Sequence, residues 1–279
     1  MTTAPKASAA PERDYVLGTD DEEIARLGLQ HRVWRPRALD AWRRAGFRSG
    51  QTILDIGCGP GYASLDLAEI VGKAGRVVAI DRSQRFLASL ASMQHQRGVD
   101  WITPTECDLN GEEFPDVRVD AAWARWVFAF VRQPRKLLER ACSAIKPGGT
   151  FVVHEYFHYA TWDLAPHSPE LTEFVRAVME SWRAEGGEPD IGLLLPRWLR
   201  SLGFEVREIR PIIDIVSRDS HVWEWPFAFV RSGLRRLVEL GRLPSPRAQA
   251  IAEAVDAAAR APGTLLVTPA VVEIIAVRT

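Results

Sequence analysis

Short apolar runs alternate with helix-like segments through the middle of the chain. In most of the segments between the runs, apolar residues recur every three or four positions, as they do on one face of a helix. Short strands that alternate with helices form parallel sheets, which helices cover on both faces. The pattern therefore predicts an α/β fold with strands at residues 52–56, 76–80, 99–103, 119–123 and 150–154.

Helical patterns precede the first of these strands. The sequence Thr19-Asp-Asp-Glu22 has the spacing of a capping box, and the apolar positions from 24 to 34 then fall on one helical face. Pro36 predicts a break, with a second helix over 37–45. We expect residues 1–13 to form a disordered tail and residues 14–48 to form a helical lid.

The chain after residue 154 is less regular. We expect a strand over 204–216, a closing strand over 265–277, and helical inserts at about 160–190 and 217–262 that cover the sheet. We find no internal repeat and no linker that would divide the chain, so residues 49–279 are predicted to form one domain.

Composition and charge argue against several classes of protein. The net charge is -1, from 35 basic and 36 acidic residues, whereas binding to nucleic acid or a membrane surface usually needs a basic excess. The three cysteines have no C-x-x-C or metal-site spacing, so we expect no disulfide framework, no metal, and a reducing, cytoplasmic location. No apolar run reaches the roughly 20 residues that cross a bilayer.

The segment with the clearest chemistry is Asp55-Ile-Gly57-Cys-Gly59-Pro-Gly61, which leaves a buried strand and opens a helix. Glycines at such a turn let a ligand approach the backbone closely, and Asp81 at the end of the next strand is placed to accept hydrogen bonds from ribose hydroxyls. The spacing is G-x-G-x-G, not the dinucleotide fingerprint G-x-G-x-x-G, and Pro60 removes one N–H from the turn. The pattern therefore favours an adenosine cofactor without a pyrophosphate, with a turn used only for packing as the alternative.

From residue 52 to residue 156 the chain resembles the class I, Rossmann-like methyltransferases that depend on S-adenosylmethionine. The pieces that match are the glycine segment, the aspartates that follow the second and third strands, the fourth strand and the turn before the fifth: Asp55 to Gly61, Asp81-Arg-Ser83, Cys107-Asp-Leu109, Val119-Asp-Ala-Ala122 and Ile145-Lys-Pro-Gly-Gly149. The resemblance implies a doubly wound sheet of about seven strands in the order 3-2-1-4-5-7-6, with the last strand antiparallel.

The resemblance also implies a role for each matching residue. The three glycines and Asp55 would surround the methionine part and the ribose. Asp81 would hold the ribose diol with Arg82 beside the adenine, and Asp108 and Leu109 would bind the adenine edge. Arg125, just past the fourth strand, would lie near the methionine end or the acceptor. Tyr15 and Gln30 are candidates to clamp the cofactor carboxylate, or else an ordinary surface tyrosine and a helix-face glutamine.

Candidate residues for the methyl acceptor follow from the sheet edge and the inserts. His154 and His31 are the candidate general bases, although either would also suit a hydrogen-bonded core position. Glu155 points to the opposite face of the strand from His154, so the two do not share a role. The candidates for acceptor binding lie in loops or inserts and would otherwise pack the inserts onto the domain: Trp126, Tyr156, His158, Trp162 and Trp223.

These observations predict a methyltransferase that acts on a small molecule, aromatic or a natural product of secondary metabolism, with S-adenosylhomocysteine as the product. The alternatives are a non-methylating member of the fold (a cyclase, decarboxylase or binding subunit) and a protein methyltransferase; a homodimer is left open. The glycine spacing and the lack of Tyr-x-x-x-Lys count against an oxidoreductase. Ala124-Arg-Trp-Val127 stands where many nucleic-acid methyltransferases have Asn-Pro-Pro-Tyr, which counts against that class.

Overall fold

The computed structural model describes residues 18–279, so Tyr15 and the whole predicted tail, residues 1–13, lie outside the described part. Within residues 18–279, ten strands form two sheets: β1 Thr52–Ile56, β2 Arg76–Asp81, β3 Ile102–Glu106, β4 Val119–Arg125, β5 Ile145–Tyr156, β6 Asp163–Ala165, β7 Phe204–Ile212, β8 Ile215–Ser217, β9 Leu265–Val267 and β10 Val271–Arg278. The helices are α1 Asp21–Arg44, α2 Tyr62–Val71, α3 Gln84–Arg97, α4 Pro134–Ala144, α5 Pro169–Ala184, α6 Leu195–Ser201, α7 Glu224–Glu239 and α8 Ser245–Arg260.

The main sheet has seven strands in the order β3-β2-β1-β4-β5-β10-β7. Numbered within this sheet, that is the predicted order 3-2-1-4-5-7-6, which is confirmed. The strands from β1 to β5 pair in parallel, whereas β10 runs antiparallel to both of its neighbours. The inner strands are apolar on both faces, because helices cover both sides, while the edge strand β7 has mostly exposed side chains.

The first helix differs from its prediction in two ways. Asp20 caps α1, where Thr19 was predicted, because its carboxylate accepts the N–H of Glu23 at 2.8 Å. The helix also continues through Pro36 without ending. A proline removes one hydrogen bond from a helix, but Trp34 and Ala38 on either side are fully buried. Tertiary packing therefore holds the two halves as one helix.

Two predicted strands are each divided in the structure. The region predicted as a strand over 204–216 forms β7 and β8, and the region over 265–277 forms β9 and β10. The later part of the first region, β8, and the earlier part of the second, β9, lie outside the main sheet and join β6 in a small antiparallel sheet of order β6-β9-β8. Asp214 and Thr268 fix the point at which the two chain segments separate from the main sheet. The N–H of Thr268 donates to the carbonyl of Asp214, and the N–H of Asp214 donates to the hydroxyl of Thr268, each at 3.0 Å.

Three of the helices after β5, namely α5, α7 and α8, form a separate layer on the domain, whereas α6 packs against β7 and α4. In this layer α7 packs against α1, α5 and α8. The helices α5, α7 and α8 lie within the two ranges predicted as helical inserts. Among residues 18–279, we find no helix that combines the length and the apolar character needed to cross a membrane.

Gly61 allows α2 and α3 to approach each other. It has a φ of 93°, and a Cβ built on it would lie 2.7 Å from the Cβ of Leu90 on α3. Real side chains do not approach so closely, so this glycine is required both by its backbone conformation and by its neighbour. The predicted cofactor role of Gly61 is thus accompanied by a packing role that the sequence did not indicate.

We expect Gly61→Ala to lower the free energy of unfolding by about 3 kcal/mol, since the new methyl group forces Leu90 to move. Gly98→Ala is the matched control, because Gly98 also has a positive φ of 64° but no atom within 4 Å of a built Cβ. The control should cost only the backbone term, about 1 kcal/mol. Urea unfolding of both variants measures the difference, and equal losses would contradict the role of the Leu90 contact.

Candidate functional site

A large cleft opens at the carboxyl ends of the parallel strands of the main sheet. Its empty volume is about 1580 Å³ when counted out to the open mouth. One part, the glycine half, is lined by the loops after β1, β2 and β3. The other part, the aromatic half, is lined by eight rings: Trp126, Phe130, Tyr156, Tyr159, Trp162, Trp182, Trp225 and Phe229.

The glycine half is organised by the carboxylate of Asp81, at the end of β2. Its oxygens accept the N–H of Gly59 and the N–H of Ser83, each at 2.9 Å. Burial raises the pKa of Asp81, and these backbone donors oppose that shift. Gly59 has a φ of 54°, and a Cβ built on it would meet no atom within 4 Å. The loop therefore leaves open space directly beside a buried carboxylate.

Asp55 lies at the base of the same loop and is almost completely buried. Its carboxylate accepts a hydrogen bond from the hydroxyl of Ser64 at 2.6 Å. Burial raises its pKa to about 6, although the positive charge of Arg125 acts in the opposite direction. On the far side of the glycine half, Arg82, Asp108 and Leu109 also line the cleft, and the carboxylate of Asp108 accepts the N–H of Asn110 at 2.9 Å.

The helix α1 contributes a polar chain to the cleft wall. Arg26 donates to both carboxylate oxygens of Glu23, at 2.6 and 2.7 Å, and to the side-chain oxygen of Gln30, at 3.1 Å. Its guanidinium carbon also lies 5.5 Å from the ring centre of Phe229 on α7. Arg26, Gln30 and Phe229 all line the cleft. The predicted clamp residue Gln30 therefore lies beside a cation, Arg26, that was not predicted from the sequence.

A three-ring stack forms the inner wall of the aromatic half. The ring of Trp126 lies between those of Tyr156 and Trp225, with centres 5.2 and 5.4 Å apart and planes 12° apart in both pairs. Trp126 has a φ of 52°, a left-handed conformation that is rare for a bulky residue. Its N–H donates to the carbonyl of His154 at 2.9 Å, which fixes the backbone where β4 ends.

The loop after Trp126 is held by the buried carboxylate of Glu155. One oxygen accepts the N–H groups of Val127, Phe128 and Ala129 at 2.8 to 3.3 Å, and the other accepts the N–H of Tyr156 at 2.9 Å. Burial raises the pKa of Glu155 to about 7. As predicted from strand alternation, Glu155 and His154 have different surroundings, since His154 lies on the other face of β5.

The structure brings twelve of the predicted site residues to one cleft: Gln30, Asp55, Gly57, Gly59, Asp81, Arg82, Asp108, Leu109, Arg125, Trp126, Tyr156 and Trp162. Their individual roles stay predictions. Gly61 and Trp223 are not part of the cleft wall. Gly61 packs against α3, and Trp223 is buried and stacks on Phe227 at 4.8 Å.

None of the three predicted histidines lines the cleft. His154 is fully buried, with Nε2 3.0 Å from a carboxylate oxygen of Glu273. The Nε2 of His31 lies 3.0 Å from a carboxylate oxygen of Asp66. His158 is exposed on the loop after β5. The geometry of His154 and His31 fits the alternative stated above, a hydrogen-bonded core histidine, and we do not carry them forward as bases.

Several cleft residues were missed because they come from segments far apart in sequence. Tyr159, Trp182 and Phe229 meet only through the packing of the inserts, for which the sequence gives no spacing rule. Arg26 could have been found, since positions 23, 26 and 30 lie on one helical face. Among residues 18–279, no group of three or more His, Cys, Asp or Glu is arranged to hold a metal ion.

Comparisons with known proteins point to one family. Residues 47–189 match the family model described as a methyltransferase domain. A 2-phytyl-1,4-naphthoquinone methyltransferase of Synechococcus elongatus is 29% identical over 156 residues, which are 54% of this chain and 61% of that protein. The chain thus spans about three fifths of the length of the curated relatives it matches.

Solved structures share the fold. The [4+2]-cyclase SpnF is similar with a TM-score of 0.53 and 19% identity, over 87% of this chain and 80% of that one. Coclaurine N-methyltransferase bound to N-methylheliamine and S-adenosylhomocysteine is similar with a TM-score of 0.53 and 14% identity, over 87% of this chain and 72% of that one. At such identities the likeness concerns the fold alone, and both a methylating and a cyclising protein have it.

We expect Asp81→Ala to weaken the binding of S-adenosylhomocysteine by about 1–3 kcal/mol, or about 5- to 150-fold, through loss of charge-assisted hydrogen bonds. Asp120→Ala is the control, because Asp120 also accepts a backbone N–H, from Thr52 at 2.8 Å, but lies outside the cleft. Both variants should lose stability, whereas only the first should lose affinity in a calorimetric titration. Unchanged affinity in Asp81→Ala would refute the ribose assignment.

The burial of His154 gives a pH dependence of stability. Burial lowers its pKa below the ordinary value of 6.5, so the ring stays neutral in the folded protein while it takes up a proton in the unfolded chain. The unfolded state then binds more protons, and the free energy of unfolding falls as the pH drops below about 6.5.

We expect His154→Gln to reduce the loss of stability between pH 6.5 and pH 5.5, because the variant lacks the ring that takes up a proton on unfolding. Urea unfolding of the wild type and the variant at both pH values measures this. If the two proteins lose the same stability, His154 is not the group responsible.

Proposed function

Because the chain belongs to the family of methyltransferase domains, we propose that it transfers a methyl group from S-adenosylmethionine to a flat, largely apolar small molecule. The observation that carries the proposal is the position of Asp81: a buried carboxylate beside the open space at Gly59, at the end of the second strand. A ribose diol needs an acceptor of this kind at this point of an α/β sheet.

The glycine half suits the parts of this cofactor. Gly57 and Gly59 let the backbone approach the ligand, with Asp55 at the base of the loop and Asp81 facing the ribose. Asp108 and Leu109, with Arg82, would hold the adenine. Gln30 on α1 would close over the amino-acid end, beside Arg26. When bound, the cofactor supplies an activated methyl group on a sulfonium, so the protein's own task is to align the reactants and exclude water.

The aromatic half supports the choice of acceptor. It adjoins the glycine half, and its rings offer apolar surface with few polar groups. Aromatic walls bind flat ligands well and also stabilise a nearby sulfonium by cation–π attraction. The name of the cyanobacterial relative specifies a naphthoquinone, which is a flat, bicyclic molecule of this kind.

The three buried, unpaired cysteines support our further proposal of a cytoplasmic location.

The first experiment is a calorimetric titration with S-adenosylhomocysteine, with NAD as the comparison ligand. We expect only S-adenosylhomocysteine to bind. Gly59→Val should abolish this binding by filling the open space, whereas Gly50→Val is the matched control, since Gly50 also has a positive φ and free space but lies outside the cleft. Binding of NAD alone would overturn the cofactor assignment.

The second experiment tests the reaction itself. Methyl-labelled S-adenosylmethionine is incubated with the protein and a set of naphthalene and naphthoquinone hydroxy compounds, and label in the organic product is counted. We expect transfer with at least one of them and none with Gly59→Val. Tight cofactor binding without transfer to any acceptor would favour a non-methylating member of the fold.

A further inference from the structure

Arg125 is a cation in the cleft wall without an anionic partner. It ends β4, and among residues 18–279 no carboxylate forms an ion pair with it within 4.0 Å. Its Nη1 is buried and makes no hydrogen bond, while its Nη2 lies 3.3 Å from the Nδ1 of His31. Arg26, by contrast, is held by both oxygens of Glu23. The charge of Arg125 therefore has no direct ion pair, although the carboxylates of Asp55 and Asp66 attract it from a greater distance.

The side chain of Arg125 is partly buried, and a charge that has lost part of its water without gaining a direct partner is costly. Burial lowers the pKa of Arg125 to about 10, so the guanidinium is still charged at neutral pH but disfavoured there. A bound anion would remove this cost, because each charge would then replace the water that the other has lost. The arrangement suits a protein whose ligand, and not its own side chain, supplies the negative charge.

The position of Arg125 points to the aromatic half. Its guanidinium carbon lies 5.3 Å from the ring centre of Trp126 and 6.0 Å from that of Trp123. Trp126 in turn belongs to the three-ring stack that walls the acceptor space. An anion on a flat ligand that lies in the aromatic half would thus meet Arg125 at the border with the glycine half, where the methyl group has to be transferred.

Among the described residues, the aromatic half also has no histidine and no buried carboxylate that could take a proton from the acceptor. Among the described residues that line the cleft there is no histidine, and outside the glycine half the only carboxylate is Glu185, which is exposed. A neutral hydroxyl needs a base before it can attack a methyl group, whereas an oxyanion does not. The site is therefore suited to an acceptor that arrives already ionised.

We propose that the acceptor is a flat aromatic compound with an acidic hydroxyl, bound as its oxyanion with the negative charge against Arg125; this rests on the proposed function. The anion, at its oxygen or a conjugated ring carbon, supplies the electron pair of the new bond to the methyl carbon, and the pair of the broken C–S bond stays on sulfur. A cation and an anion become two neutral molecules. Transfer to oxygen moves no proton. Transfer to carbon first gives a neutral ketone, which loses the ring proton to water and becomes an oxyanion again.

The test uses two naphthoquinones of similar shape. 2-Hydroxy-1,4-naphthoquinone is an acidic enol that is ionised at neutral pH, and 2-methyl-1,4-naphthoquinone is neutral. Each is titrated by calorimetry into protein saturated with S-adenosylhomocysteine. We expect the anion to bind at least about tenfold tighter, a difference of about 1.4 kcal/mol. Arg125→Gln should abolish this preference, and Arg125→Lys, which keeps the charge, should retain part of it.

The remaining measurements separate the competing explanations. Arg43→Gln, which removes an exposed arginine on α1, should keep the full preference. The affinity for S-adenosylhomocysteine is measured on every variant, and we expect it to change less than about threefold. A preference that survives in Arg125→Gln, equal binding of the two quinones, or binding of neither would overturn the proposal.

The cofactor measurement distinguishes this inference from the function on which it rests. If Arg125→Gln loses affinity for S-adenosylhomocysteine and keeps the preference for the anion, Arg125 holds the cofactor carboxylate and only this inference fails. If the wild-type protein does not bind S-adenosylhomocysteine at all, the proposed function fails, and the inference fails with it.

Discussion

The shape of the cleft depends on buried carboxylates that bind backbone N–H groups at the ends of strands. Glu155 accepts four such groups and joins the end of β5 to the loop after β4. Asp81 accepts two and joins the end of β2 to the loop after β1. Each carboxylate supplies the hydrogen-bond acceptors that a helix or strand would otherwise provide. They are needed because a buried N–H without a partner costs about 1–3 kcal/mol. Without these bonds, the loops that line both halves of the cleft would have no fixed conformation.

The two carboxylates differ in what they leave for a ligand. The oxygens of Asp81 lie beside the open space at Gly59, and each can accept a further hydrogen bond. Glu155 faces the interior and is fully buried, with one of its oxygens engaged by three N–H groups. The same kind of interaction therefore builds a binding group at one strand end and a structural support at another. What decides between these two roles is whether open space adjoins the carboxylate, and not whether the residue is Asp or Glu.

How much of this could be predicted from the sequence depended on how local the determinants were. The glycine half comes from short segments whose roles follow from the end of a strand, so Asp55, Gly59 and Asp81 could be identified. The aromatic half joins residues from the loop after β4, from β5 and from the two inserts, and only Trp126, Tyr156 and Trp162 were identified. His154 lies near the end of its strand, where a general base is expected. Its side chain, however, lies on the face of the sheet that α1 covers, against Trp34. Pro36 failed to end its helix for a related reason, since packing outweighs local preference.

The strained conformation of Trp126 links the fold to the acceptor site. A bulky residue in the left-handed region costs on the order of 1–3 kcal/mol, so it persists only where its surroundings fix it. Here the N–H of Trp126 is held by the carbonyl of His154, the loop after it by Glu155, and its ring by two parallel neighbours. Consequently the side chain of Arg125, one residue earlier, lies against an aromatic face between the two halves of the cleft.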